Sequence, residues 1–162
     1  MLYCAQGKYD QAEALFIRSL AVRERTFGLE HPFVANCLDN LAELYRLQGN
    51  YEQAEEFFQR SLAIRKRVLG PEHPLVAQTL NNLGKLYYDQ GKYEQAEELY
   101  QRVLAILEKT LGPDHPELAT ALQNYAMLLQ RTGREAQATE LEERAKAILA
   151  WHARKSLTLI EM

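Results

Sequence analysis

Asparagine recurs at equal intervals along this chain, at positions that could bind a peptide. The three residues are Asn40, Asn82 and Asn124. A side-chain amide carries both a donor and an acceptor, so a row of such residues can pair with the backbone of an extended peptide. In the alternative, which the sequence leaves open, these side chains tie neighbouring repeats together or face water.

Histidine recurs with the same spacing, always before proline, and its side chain is a common metal ligand. The three residues are His31, His73 and His115. Zinc ligands lie about 2.1 Å from one ion, whereas the axes of packed helices are about 8–10 Å apart. Histidines one repeat apart therefore cannot share a metal. We interpret them as structural residues at helix starts, and we predict no metal site and no cofactor.

Composition and motifs argue against several classes of function. The sequence has no Gly-rich phosphate loop, no HExxH or GxSxG motif and no paired acid and base. Its net charge of -3 provides no basic field for nucleic acid, and no apolar stretch approaches the ~20 residues of a membrane helix. We expect a cytoplasmic, non-catalytic protein that binds neither nucleic acid nor membrane. Two cysteines, Cys4 and Cys37, are too few for a disulfide framework, and we expect both thiols to be reduced.

The elements that position these residues are copies of one unit. The evenly spaced glycines Gly7, Gly49 and Gly91 begin three similar segments, which read GKYDQAEALF, GNYEQAEEFF and GKYEQAEELY. The phrases FGLEHP, LGPEHP and LGPDHP repeat with the same period. Such self-similarity indicates a single unit used about four times.

Each unit predicts two helices, A and B, because apolar residues recur at helical spacing between proline and glycine boundaries. Alternating strand patterns are absent. The predicted A helices cover about 32–48, 74–90 and 116–132, and the predicted B helices about 8–27, 50–69, 92–111 and 134–154. Small residues recur where A and B must approach closely, namely Ala42, Gly84 and Ala126 in A and Ala12, Ala54, Ala96 and Ala138 in B.

Basic runs lie near the ends of two B helices, Arg23-Glu24-Arg25 and Arg65-Lys66-Arg67. Positive charge is favourable at the carboxyl end of a helix because it complements the helix dipole. We interpret both runs as solvated faces. A surface for an anionic partner is the alternative.

These residues resemble the tetratricopeptide repeat. The family's order of residues is found in two copies, Leu41-Ala42, Tyr45, Tyr51, Ala54, Phe58 and Leu83-Gly84, Tyr87, Tyr93, Ala96, Tyr100. The unit in this sequence is longer than the usual family repeat of about 34 residues. It is similar to the long form found in kinesin light chain and in many bacterial repeat proteins. The resemblance implies an all-α fold, a right-handed α-solenoid of stacked helix-turn-helix repeats. It divides the chain into one array, 1–150, with units about 1–31, 32–73, 74–115 and 116–150, and a carboxyl-terminal extension or cap, 151–162.

The resemblance also implies a binding site, because the A helices of the family line a concave groove that holds a peptide segment or a partner protein. We expect this groove to be lined by Asn36, Asn40, Glu43, Arg46, Gln78, Asn82, Lys85, Tyr88, Asp89, Gln123, Asn124, Met127 and Arg131. Its charges are mixed and include Asp39. They match neither a phosphate track nor the basic clamp that some members use for a terminal carboxylate.

The two ends of the array depart from the repeat pattern. Met1-Leu2-Tyr3 aligns with the last turn of later A helices, so we expect the first B helix to lack most of its covering partner. Leaving an apolar stripe wet costs roughly 25 cal/mol per Å², which suggests an alternative function: self-association through this edge, or a scaffold arm in a larger assembly. At the other end Glu135 and Glu142 replace aromatic residues, as is typical of a solvent-facing cap.

Overall fold

The computed structural model describes the backbone of residues 9–160 and, except for Asp10 and residues 156–160, their side chains. Over this range the chain forms seven α-helices and no strand. The helices are α1 (Tyr9–Phe27), α2 (Pro32–Leu47), α3 (Tyr51–Leu69), α4 (Pro74–Asp89), α5 (Tyr93–Leu111), α6 (Pro116–Arg131) and α7 (Glu135–Ile160). Helices α2, α4 and α6 are the predicted A helices, and α1, α3, α5 and α7 are the B helices.

A glycine with positive φ lies in each turn between these helices, at regular intervals from Gly28 to Gly133. At Gly70, which follows α3, φ is 89° and ψ is 155°. This combination is essentially restricted to glycine, because a Cβ atom would clash with the backbone. The turn glycines therefore fix where each helix before α7 ends, and their equal spacing gives the successive units the same length.

Histidine and proline together begin every A helix. The Nδ1 atoms of His31, His73 and His115 accept hydrogen bonds from the backbone N–H groups two residues on, at 3.2, 3.1 and 3.3 Å. The following proline lies in the first turn, where its missing N–H costs nothing. The prediction that these histidines are helix-start residues is confirmed.

Consecutive helices pack against each other along the whole array, as expected for an all-α solenoid. One apolar cluster joins α1 to α4 and a second joins α4 to α7, so the core is shared between units. The small residues predicted at the A–B contacts are all buried. At Gly84 an added Cβ atom would lie 2.7 Å from the ring of Tyr100, which shows how closely α4 and α5 approach.

The two ends of the array can be compared with the unit boundaries predicted from the sequence. Helix α7 continues to Ile160, beyond the predicted end at residue 154, because no glycine or proline follows Gly133 to stop it. The truncated A helix proposed for the first unit, and Cys4, lie outside the described residues. Cys37 is buried and free, 3.6 Å from the hydroxyl of Ser19.

Candidate functional site

All thirteen predicted groove residues lie on α2, α4 and α6, and successive A helices contact each other directly. We call the set of these thirteen residues the A face. Seven of its residues are exposed, Asn36, Asn40, Gln78, Asp89, Gln123, Met127 and Arg131. Six are partly buried, Glu43, Arg46, Asn82, Lys85, Tyr88 and Asn124. Between these helices the chain has two comparable places: the first junction, where α2, α3 and α4 meet, and the second junction, where α4, α5 and α6 meet.

A buried ion pair fills the first junction. The guanidinium of Arg65, on α3, lies 2.8 Å from the carboxylate of Asp39, on α2. It also donates to the hydroxyl of Thr79 at 2.8 Å and to the carbonyl of Leu75 at 2.7 Å, both on α4. Arg65 and Asp39 are only 3% and 7% exposed. The network therefore links three helices through one guanidinium group.

Burial works against both charges in this network. It raises the pKa of the Asp39 carboxyl and lowers that of the Arg65 guanidinium, and each group's charge partly offsets the shift of the other. Two ions taken out of water cost several kcal/mol, which their mutual attraction and hydrogen bonds must offset. Removing one partner would therefore destabilise the fold more than the intact pair stabilises it, because the remaining charge would be buried alone.

Two interpretations made from the sequence are wrong at this point. Arg65 does not belong to a solvated basic run, because its side chain turns into the junction. Asp39 does not contribute charge to the open groove, because it is buried against Arg65. Neither residue type nor helix position signalled this, since the partner charge lies on another helix, well separated along the chain.

Four residues of the first junction have counterparts of a different chemical type at the second junction. Asp39 corresponds to Asn81, Ser61 to Val103, Arg65 to Leu107 and Thr79 to Ala121. The four counterparts carry no charge, and a cleft of about 300 Å³ opens at the second junction. Its lining is apolar from Ala77, Val103, Leu107 and Ala121, and polar from Gln78, Asn81, Asn82, Lys85, Glu117 and Thr120. Of these ten, only Gln78, Asn82 and Lys85 were among the thirteen predicted residues. The other seven were missed, although a comparison of the repeats one period apart could have found the change at Asn81, Val103, Leu107 and Ala121.

The polar groups of the cleft differ in how much of their bonding capacity is used. Asn81 accepts a hydrogen bond at 3.0 Å from the amide of Asn124. Within the described part of the chain, Asn82 and Lys85 have no side-chain hydrogen bond or ion pair. An amide and an ammonium group thus face the cleft with their donors available.

The asparagines of the A face do not share one role. Asn36 accepts from Arg65 of its own unit at 2.8 Å, whereas Asn124 donates to Asn81 of the preceding unit at 3.0 Å. Asn40 is exposed, and Asn82 lines the cleft. Two of the predicted binding residues are therefore structural in part, and two present their amides to the open surface.

The far end of the A face is held by contacts between neighbouring units. Arg46 pairs with Glu43 at 2.8 Å on its own helix and with Asp89 on the next A helix. One period later Tyr88 and Arg131 take the positions of Arg46 and Asp89, and Arg131 donates to the hydroxyl of Tyr93 at 3.1 Å. The mixed charge predicted for the groove is thus partly neutralised within the array.

Other kinds of site find no support among the described residues. No group of three or more His, Cys, Asp or Glu side chains is placed to hold a metal ion within this part of the chain. Over the same residues, none of the helices combines the length and apolar character that crossing a bilayer requires.

The sequence matches the tetratricopeptide repeat model in three overlapping segments, 1–67, 40–109 and 87–150. The chain therefore belongs to the tetratricopeptide repeat family. Repeats of this family are in general protein-interaction modules, and they are typically non-catalytic. Among curated proteins there is no significant match to this sequence.

Solved structures with the same architecture are similar to this chain over 94% of its length. BtubC (BKLC) from P. vanneervenii is 28% identical with a TM-score of 0.82, and this chain covers 61% of that chain. A putative kinesin light chain from Podosopora anserina with nearly identical TPR-like repeats is 31% identical with a TM-score of 0.73, and 72% of it is covered. A variant of that protein gives a TM-score of 0.76. The recognition of a kinesin light chain-like repeat array is confirmed, and this chain spans less than two thirds of the BtubC chain.

Proposed function

We propose that this chain holds a segment of a partner protein on the A face, which forms the concave groove of the array. The observation that carries the proposal is the cleft at the second junction, where Asn82 and Lys85 present unused donors beside an apolar floor. Backbone groups of an extended segment can pair with the amides, and charged side chains can pair with Lys85. Rigid helices provide these groups in fixed positions, which lowers the entropic cost of binding.

Peptide selection tests this proposal without knowledge of the natural partner. Peptides selected from a random library of nonapeptides on the wild-type protein are measured against the triple variant Asn40→Ala, Asn82→Ala, Lys85→Ala. We expect affinity to fall by about ten-fold or more, because several polar contacts are removed.

The B helices offer a matched control for this experiment. Gln53, Gln95 and Gln137 are exposed, at equivalent positions of three successive units, and their triple replacement by alanine should leave affinity unchanged. Failure to select any peptide, or equal losses in the two triple variants, would remove the A face as the binding surface.

A second candidate function is self-association through α1, with a second copy of this chain as the partner. Val22 is 58% exposed, whereas its counterparts Ile64 and Ile106 are each 5% exposed in their own A–B pairs. Leu15 on the same helix is 56% exposed. Sedimentation across a range of concentrations tests this: wild type should associate and Val22→Glu should not. A wild-type protein that stays monomeric at high concentration contradicts this candidate.

The remaining expectations about this protein stay predictions. They are that the module works in the cytoplasm, that it has no catalytic activity of its own, and that it binds neither nucleic acid nor membrane.

A further inference from the structure

We infer that the second junction is the anchor subsite of the A face, which takes one aliphatic side chain from an extended partner segment with a carboxylate next to it. This inference rests on the proposed function and names the chemistry of the segment that the A face would hold. It depends on the contrast between two junctions that share one backbone.

The apolar floor is the first argument. At the first junction the charged side chain of Arg65 occupies the space between the helices and reaches Asp39 and Thr79. At the second junction Leu107 and Val103 replace Arg65 and Ser61 and form the base of the cleft. They are only 4% and 1% exposed, so the atoms that border the cleft are the outermost ones of a packed apolar layer. An apolar floor of this kind favours a hydrocarbon side chain over water or a charged group.

The size of the cleft is the second argument. A volume of about 300 Å³ lies at the lower limit of the usual range for ligand sites. It suits one side chain with its adjoining backbone better than a cofactor. Interfaces commonly draw most of their binding energy from such a buried anchor with polar groups around it.

Charge at the rim is the third argument. Lys85, near the end of α4, lies on one side of the cleft, and Glu117, in the first turn of α6, belongs to its lining as well. Neither side chain has an ion-pair partner among the residues that the structure describes. A segment with a carboxylate beside its aliphatic residue can pair with Lys85. The negative charge of Glu117 disfavours a second carboxylate at the part of the cleft that Glu117 lines. The same pattern orients the segment along the cleft.

The chain itself supplies the variant that closes the cleft. The substitutions Asn81→Asp, Val103→Ser, Leu107→Arg and Ala121→Thr copy the first junction into the second, and we call this the filled variant. The reciprocal set, Asp39→Asn, Ser61→Val, Arg65→Leu and Thr79→Ala, gives the opened variant. Both sets already coexist in one backbone, so each has a structural precedent.

The experiment uses the random library of nonapeptides described above, selected on the wild-type protein. We expect selected peptides to share an aliphatic residue next to Asp or Glu. The filled variant should bind them roughly ten-fold to a hundred-fold more weakly, as expected from the loss of one buried aliphatic side chain. Replacing the anchor residue of the peptide by Ser should cost a similar factor on wild type and nothing further on the filled variant. The opened variant still has Glu43 at the position of Lys85, so it should bind a second peptide of this class only when Glu43→Lys is added.

A single bulky substitution at the edge of the cleft provides a second test in case the filled variant does not fold. Thr120 is exposed and lines the cleft, so Thr120→Phe should weaken binding, whereas Thr139→Phe on α7 should not. Unchanged affinity in Thr120→Phe and in a folded filled variant would overturn the anchor subsite. If the alanine variant of Asn40, Asn82 and Lys85 then still loses binding, the proposed function stands without this subsite. If no peptide binds the wild type, both fall.

Discussion

The two junctions of the array share one backbone arrangement but differ in the side chains that lie between the helices. At the first, Arg65 and Asp39 form a buried ion pair, and the guanidinium also donates to a backbone carbonyl of α4. At the second, Leu107 and Asn81 stand at the same positions, and the space stays open as a cleft. The repeat therefore fixes where helices lie, while a few residues per unit decide whether a junction is closed or open.

This difference separates two roles that a repeat protein must combine. A closed junction specifies the neighbour, because breaking the pair leaves a buried charge without its partner. The second junction instead leaves a cleft that is bordered by the polar groups of Asn82 and Lys85 and has nearly buried apolar residues at its base. The array thus has a buried ion pair within the unit of α2 and α3 and an open cleft at the following junction.

The largest predicted effect is the loss of charge at the first junction. Asp39→Asn should lower the free energy of unfolding by about 3 kcal/mol, because Arg65 remains buried without a counter-charge. The reciprocal change, Asn81→Asp, should alter it by no more than about 0.5 kcal/mol, since that site is partly exposed and has Lys85 one helical turn on. Urea denaturation of both variants measures the contrast, and equal losses would contradict it.

The glycine turns that follow α3 and α5 should respond equally to substitution, unlike the charged positions of the two junctions. Gly70→Ala and Gly112→Ala should each cost about 2 kcal/mol, because both glycines have a φ of 89° and ψ near the extended range. Equal costs would show that the backbone frame is the same at both junctions. Thermal unfolding followed by circular dichroism gives the two values, and a loss confined to one turn would mean that the units do not share a frame.

Core packing inside the A–B pairs should also be alike, except at the first helix. Ile64→Val and Ile106→Val should each cost about 1 kcal/mol as buried methylene deletions. Val22→Ala, at the exposed counterpart, should cost less than about 0.5 kcal/mol in the monomer. Denaturation at low protein concentration compares the three. A large loss at Val22 there would mean that α1 is covered within the monomer.

The smallest predicted effect depends on pH. Glu97 accepts 2.7 Å hydrogen bonds from both terminal nitrogens of Arg134 and a third from Tyr125. The hydrogen bonds of Arg134 hold the pKa of this carboxyl below its ordinary value of 4.5. A carboxyl with a depressed folded-state pKa adds stability above its unfolded pKa and loses it as pH falls through the folded value.

Glu97→Gln should therefore destabilise the protein slightly at pH 7, and the difference from wild type should shrink and disappear as the solution is acidified below the ordinary carboxyl pKa of 4.5. Stability measured across this range checks the sign. A difference that grows on acidification would contradict it. At the first junction the corresponding carboxylate, Glu55, instead accepts from the phenol of Tyr87 at 2.8 Å, and burial and this bond raise the pKa of Tyr87 to about 12.

The helices could be predicted from the sequence because their signals are local. Proline and histidine begin each A helix, a glycine follows each helix before α7, and the observed bounds of α2 to α6 lie close to those predicted. The end of α7 was not predicted, because no such boundary residue occurs there. The placement of the thirteen residues on the A helices followed from the same periodicity.

The state of each junction could not be predicted in this way, because it depends on contacts between helices that are distant in sequence. Arg65 near the end of α3 is indistinguishable, by position alone, from the exposed Arg67. The side chain of Arg65 is directed inward by its contacts with Asp39 on α2 and Thr79 on α4. Likewise the recurrence of asparagine did not reveal that Asn36 bonds to Arg65 within its own unit and that Asn124 bonds to Asn81 of the preceding unit. Among the described residues, Asn40 and Asn82 have no side-chain hydrogen bond.

The central claim is that a partner segment binds in the cleft of the second junction. Methyl-group NMR of the protein, titrated with a peptide selected from the nonapeptide library, tests it most directly. We predict that the methyl signals of Val103 and Leu107 shift in proportion to occupancy while those of Leu15 and Val22 on α1 stay in place. Shifts at Leu15 and Val22 with Val103 and Leu107 unchanged would contradict the account.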